Sequence, residues 1–160
     1  MKVEQEFLSN DTSERELVIT RLLHAPRELV FDVWTNPDHV KNWWGPNGFT
    51  NTIHKMEVTK GGEWNFVMHG PDGKDYKNKI IFTEVVRPER LCYDHVSGPK
   101  FHVTVDFAKQ GNTTLLTMRM VFDSSDQLAQ AIKQFGADEG LKQHIHRLAE
   151  YLEVNTIVNK

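Results

Sequence analysis

The chain has 160 residues, 39% apolar and 26% charged, ordinary globular usage that fits one domain, residues 1–160, around one core. A domain near this size buries roughly 70% of its unfolded surface and needs neither metal nor disulfide to hold together. A net charge of −3 with no run of lysine or arginine gives no footprint for phosphate backbones or anionic lipid, so neither nucleic acid nor membrane is an expected partner.

The opening stretch MKVEQEFLSNDTSERE is polar and acidic and lacks the apolar segment of a secretory signal. Nowhere does the chain approach the ~20 apolar residues of a spanning helix, and a cytoplasmic location is expected. Residues 15–24 are rich in strand formers. Pro26 then suits the first turn of a helix, because its fixed φ is helical and its missing N–H would be unpaired there. Leu29, Val30, Val33 and Trp34 fall on one stripe of that helix. Asn36 can cap a second short helix opened by Pro37 and stopped by Gly45 and Pro46.

From residue 50 to 122 the apolar period changes from about 3.6 to about 2. GGEWNFVMHGPDGKDYKNKIIFTEVV predicts two strands joined at Gly70, Pro71, Asp72 and Gly73. RLCYDHV is the next strand, and KFHVTVDFAKQGNTTLLTMRMVF is a hairpin turning at Gly111 and Asn112. Phe101, Val103, Val105 and Phe107 alternate with His102, Thr104 and Asp106, and Leu116, Met118, Met120 and Phe122 oppose Thr117 and Arg119. Trp64, Phe66 and Met68 share a face, as do Ile80 and Phe82, while Lys77 and Lys79 face out. Each strand has one dry side.

Ser124 and Gln127 suit a capping box for a helix that Gly136 ends or bends. In the last helix Leu141, Ile145, Leu148 and Leu152 form the core stripe. About six or seven antiparallel strands with one dry face, plus a long helix with one dry stripe, give an α+β fold in which the sheet wraps the helix. The two early helices cover one end or edge of the sheet. The ordered core spans residues 15–154, with frayed ends.

Glycine costs about 1 kcal/mol against alanine inside a helix, so Gly140 needs a reason. With about 100° per residue, Gly140, His144 and Tyr151 share one flank of the stripe, and His146 faces water. Gly140 either allows close packing or borders a hollow walled by His144 and Tyr151.

Other residues have plain readings beside functional ones. Cys92 is the one cysteine, in a strand, and fits an inert buried thiol. His144 and His146 point about 200° apart around the helix axis and cannot share a metal, and no zinc or calcium spacing occurs, so no metal and no cofactor is expected. The glycines at 61, 62, 70 and 73 mark strand junctions, not a phosphate loop. Of Trp43 and Trp44, one is expected to pack under the sheet and the other to cover a tunnel mouth. Alternation turns Glu84 inward behind Ile80 and Phe82, facing Tyr93 and His95 on the next strand. A buried carboxylate beside a histidine is a candidate general base, or a carboxylate bonded to backbone or a cation.

The segments HAPRELVFDVWTNPDHVKNWWGP, GGEWNFVMHGPDGKDY, EVVRPERLCY and FGADEGLKQHIHRLAEYL, taken together and in this order, resemble the family of the activator of heat-shock protein 90 ATPase homologue. That family is similar to the START-like, or SRPBCC, superfamily. The resemblance covers about residues 15 to 154. It implies a helix-grip fold, with a curved antiparallel sheet closed around the C-terminal helix over a cavity that in relatives takes lipids, polyketides or other apolar molecules. The family name also implies chaperone association and stress response. The eukaryotic activator has a separate chaperone-binding domain for which 160 residues leave no space, and Arg87 stands where relatives often have a proline. The resemblance therefore implies the cavity and no fixed catalytic set.

The leading expectation is a small apolar ligand held by Trp64, Phe66, Met68, Phe82, Met118, Met120, Leu141 and Leu148 and bordered by Gly140, with Tyr93, His95 and His144 orienting it by hydrogen bonds. Alternatives are a module binding a chaperone or a second copy of itself, which needs an exposed apolar patch, and a cavity enzyme, a cyclase or hydrolase, dependent on Glu84 or His95.

Overall fold

The computed structural model describes residues 13–158, with side chains through Asn155. The expectation of a frayed start falls outside these residues. After a 3₁₀ turn (Ser13–Arg15) the chain forms β1 (Glu16–Leu23), α1 (Arg27–Thr35), α2 (Pro37–Val40) and β2 (Thr50–Met56). There follow β3 (Glu63–His69), β4 (Asp75–Val86), β5 (Arg90–His95), β6 (Phe101–Gln110), β7 (Thr113–Val121), α3 (Ser125–Phe135) and α4 (Ala137–Val158).

Local chemistry explains the helix ends. Asn36 Oδ1 accepts from the Asp38 N–H at 3.0 Å, and Ser124 Oγ from the Gln127 N–H at 3.1 Å, each using an N–H that lacks an intrahelical acceptor. Pro26, expected in the first helical turn, instead sits at the cap of α1, extended at ψ 152°, one position before the first helical residue, Arg27. Gly136 has φ 62° and ψ 41° and ends α3 in the left-handed conformation that glycine enters without steric cost. α4 therefore starts afresh at Ala137. It runs for 22 residues, to Val158 and not only to Val154.

The seven strands form one antiparallel sheet in the order β1-β7-β6-β5-β4-β3-β2. Strands adjacent in sequence from β2 to β7 are hairpin neighbours, whereas β1 and β2 lie at opposite edges. The segment between them, residues 24–49, must therefore cross the sheet, and it does so as α1, α2 and a loop of residues 41–49. Val103, Val105, Phe107, Leu116, Met118, Met120 and Phe122 are buried, with Leu141, Ile145, Leu148 and Leu152 of α4 in the same core. Sheet and helix thus bury the faces that their periodicities predict.

Three expectations change. β2 falls within the stretch of period about 2 but has no clean alternation of its own, because a register shift between Ile53 and Lys55 interrupts it. A second shift, between Phe82 and Glu84, resets the alternation of β4. Glu84 consequently pairs with Cys92 on the outer face and is exposed; it does not follow Phe82 inward. Finally, Trp43 and Trp44 are both buried, at 1% and 8% exposure, so neither is an outer cover.

Candidate functional site

The inner face carries a connected aromatic layer. Trp64 lies 4.6 Å from Phe66 and 6.2 Å from Phe82 between ring centroids, and Phe82 lies 6.0 Å from Tyr93. Trp44, brought in by the 41–49 loop, joins this layer to α4: it is 4.6 Å from Trp64 and 4.3 Å from His144. Trp34 and Trp43 close the cluster at 5.9 and 5.1 Å from His144. All four tryptophans of the chain belong to it.

Trp64, Phe66, Phe82, Tyr93 and His144, singled out from sequence, are thus brought together. Met118, Met120, Leu141 and Leu148 are buried in the same core, and Met68 is half-buried with its methyl group against Gly45. His95 lies apart from the cluster. It is stacked on Phe101 at 4.6 Å, with Nδ1 donating to the Pro99 carbonyl at 2.8 Å and Nε2 at 2.6 Å from the Asn78 side-chain amide.

Gly140 serves another purpose. A Cβ there would lie 3.5 Å from Pro46 Cγ, so the glycine faces the loop, not a hollow. The same flank of α4 grips that loop throughout. Gln143 Oε1 accepts from the Asn47 N–H at 3.0 Å and His144 Nδ1 from the Gly45 N–H at 2.9 Å. The Arg147 guanidinium donates to the carbonyls of Asn42, Trp44, Gly45, Pro46 and Phe49 at 2.8–3.3 Å. Tyr151 OH meets His39 Nδ1 at 2.7 Å. The flank predicted for Gly140, His144 and Tyr151 is real, but it holds a loop. Gly140→Ala is expected to raise stability by about 0.5–1 kcal/mol, because 3.5 Å is ordinary contact and the helix gains propensity. Calorimetry should show a melting temperature higher by about 2 °C; a lower one would mean that Pro46 tolerates no methyl group.

Burial governs the protonation states. His144 is fully enclosed, and desolvation, with Arg147 adding to it, pushes its pKa down to about 3. It is neutral at pH 7, and since Nδ1 accepts from Gly45, Nε2 carries the proton. Enclosure raises the Tyr93 hydroxyl pKa and lowers that of His95. Cys92 is raised chiefly by desolvation and bonds Glu84 and Thr104, as suits an unreactive thiol.

Four of these groups have no hydrogen-bond partner: Trp34 Nε1, Trp64 Nε1, Tyr93 OH and His144 Nε2. A buried polar group without a partner costs about 1–3 kcal/mol. Periodicity could mark Tyr93 and His144 as inward but not their lack of partners, which depends on three-dimensional neighbours. Glu84 and His95 lie on opposite faces, so the acid–base pair considered for an enzyme is not assembled. No cluster of three or more His, Cys, Asp or Glu among the described residues is placed to hold a metal.

A surface opening lies at the other end of the core. A groove of about 400 Å³ lies between the β5–β6 loop and α3, lined by Pro99, Phe122, Gln127, Ala131, Gln134 and Phe135 among others. Its floor, Phe122, is the residue at which the inward row of β7 ends, and Phe101 beside it at 5.3 Å carries the surface back to His95.

This architecture has known counterparts. The family model described as Activator of Hsp90 ATPase homolog 1-like protein matches residues 24–153. The chain belongs to this family. Activator of Hsp90 ATPase homolog 1-like proteins fall in the START-like superfamily, whose fold generally binds hydrophobic ligands. A protein of Arthrobacter aurescens shares 26% identity at TM-score 0.82, over 91% of this chain and 90% of its own. Protein NE0264 of Nitrosomonas europaea shares 24% at 0.81, over 91% and 98%. The AHSA1-like protein of Aeromonas hydrophila shares 23% at 0.70, over 88% and 94%. The last two show the fold alone. No curated protein matches this family member. No helix among its described residues is long and apolar enough to cross a membrane.

Proposed function

We propose that the protein binds a small apolar molecule, of lipid or polyketide character, between the inner face of the sheet and α4. The observation that supports this most is the continuity of the apolar surface with an opening: the inward row of β7 ends at Phe122, which floors the groove beside α3. Phe122 in turn touches Phe101, 5.3 Å away between ring centroids, and shares one core with Tyr93, Phe82 and Trp64. Apolar area removed from water contributes about 25 cal/mol per Å², and methionines such as Met118 and Met120 adapt to varied shapes. The half-buried Phe101 and the exposed Phe135, 57% accessible, mark the rim of the path.

Native mass spectrometry of the purified protein tests the reading. The expected spectrum contains a small-molecule adduct that is lost on denaturation and recovered by organic extraction. A bare protein mass, together with no thermal shift from any apolar compound offered to it, would overturn the proposal.

A further inference from the structure

We infer that the molecule held between sheet and α4 carries an oxygen acceptor, a ketone, phenolate or carboxylate, that receives hydrogen bonds from the aromatic cluster. This rests on the proposed ligand site and adds the polarity of its occupant. Trp34 Nε1, Trp64 Nε1 and His144 Nε2 can only donate, the last because its Nδ1 accepts from the Gly45 N–H. Tyr93 OH donates as readily. Asn51 Oδ1 is a buried acceptor without a partner, on edge strand β2, with its amide nitrogen bonded to the carbonyls of Lys41 and Trp44. Of all the buried side-chain groups without a partner among the described residues, Arg27 Nε, Trp34 Nε1, Trp64 Nε1 and His144 Nε2 can only donate, Tyr93 OH can do either, and Asn51 Oδ1 alone can only accept.

The charges agree with this polarity. Among the described residues the buried polar ones are Thr35, His95, Thr114 and His144, and the one enclosed carboxylate, that of Glu16, is already paired with Arg119 at 2.7 Å; the aromatic cluster itself holds no carboxylate. The Arg147 cation stands beside His144, close enough to disfavour its protonation. A cationic or donor-bearing ligand would meet N–H groups and a guanidinium; an oxygen acceptor would meet complementary partners.

Indane and 1-indanone separate the possibilities, since they share one carbon frame and differ by a carbonyl oxygen. In water the ketone is the better hydrated of the two, so a purely apolar hollow would favour indane. Isothermal titration of the intact protein is expected to show 1-indanone binding at least tenfold more tightly, and Tyr93→Phe and His144→Asn should each erode or reverse that preference. Indane bound as tightly as the ketone, or more so, would overturn the acceptor inference and leave the apolar site standing; so would a ketone preference that neither substitution changes. If neither compound binds and native mass spectrometry shows no adduct, the site itself fails and the inference with it.

Discussion

Arg147→Met is expected to destabilise the protein by about 3 kcal/mol, lowering the melting temperature by about 10 °C. Arg147 Nη1 donates to the carbonyls of Trp44, Gly45 and Pro46, and Nη2 to those of Asn42 and Phe49. Hydrogen bonds to a charged group contribute about 1.5–3 kcal/mol each, but five around one half-buried cation share its charge and are not additive. Their removal leaves carbonyl oxygens turned toward one another with no donor between them. Methionine keeps the apolar stem and so isolates the guanidinium. Arg147→Lys is expected to recover less than half of the loss, because one ammonium with three donors cannot span five carbonyls. The near-ultraviolet dichroism should change as well, since the released loop carries Trp43 and Trp44. A melting temperature within 2 °C of the parent would show that the loop is held by its tryptophans alone.

The parts of the fold legible in the sequence are those with a regular period. Phe101 to Phe107 and Leu116 to Phe122 alternate without interruption, and Leu141, Ile145, Leu148 and Leu152 keep helical spacing; all of these inward residues except the half-buried Phe101 are buried where the period places them. Where register shifts intervene, at Ile53–Lys55 and at Phe82–Glu84, period fails, because one extra residue turns every later side chain to the other face. Glu84 was displaced in this way. The grip of α4 on the loop was hidden for a different reason: its acceptors are backbone carbonyls, which any sequence supplies. A signal was nevertheless present. Gln143, His144 and Arg147 place three polar groups beside an apolar stripe, and NWWGPNGF is a stretch whose glycines and prolines leave carbonyls unpaired by a sheet. Gly140 then has its explanation in Pro46, a contact between residues 94 positions apart in the sequence and invisible to local pattern.

Acid should loosen the same junction through His144. Its pKa is about 3 in the folded protein against 6.5 for the unperturbed imidazole. Between those values the unfolded chain takes up a proton that the folded one refuses, so acid favours unfolding. The stabilisation is complete above about pH 6.5 and is lost progressively as the pH falls toward 3, by up to ~1.4 kcal/mol per pH unit. His95, also lowered by burial, adds to the slope. His144→Asn keeps an acceptor for the Gly45 N–H but does not titrate. Urea unfolding at pH 6, 5 and 4 should therefore give it a dependence shallower by one proton than that of the parent. An unchanged slope would mean that water reaches the imidazole. If the slope does fall, the chemistry at Nδ1 follows: protonation replaces its lone pair with an N–H aimed at the Gly45 N–H, and two donors then face each other where α4 held the loop. The group that fixes Trp44 against the sheet would become the one that releases it.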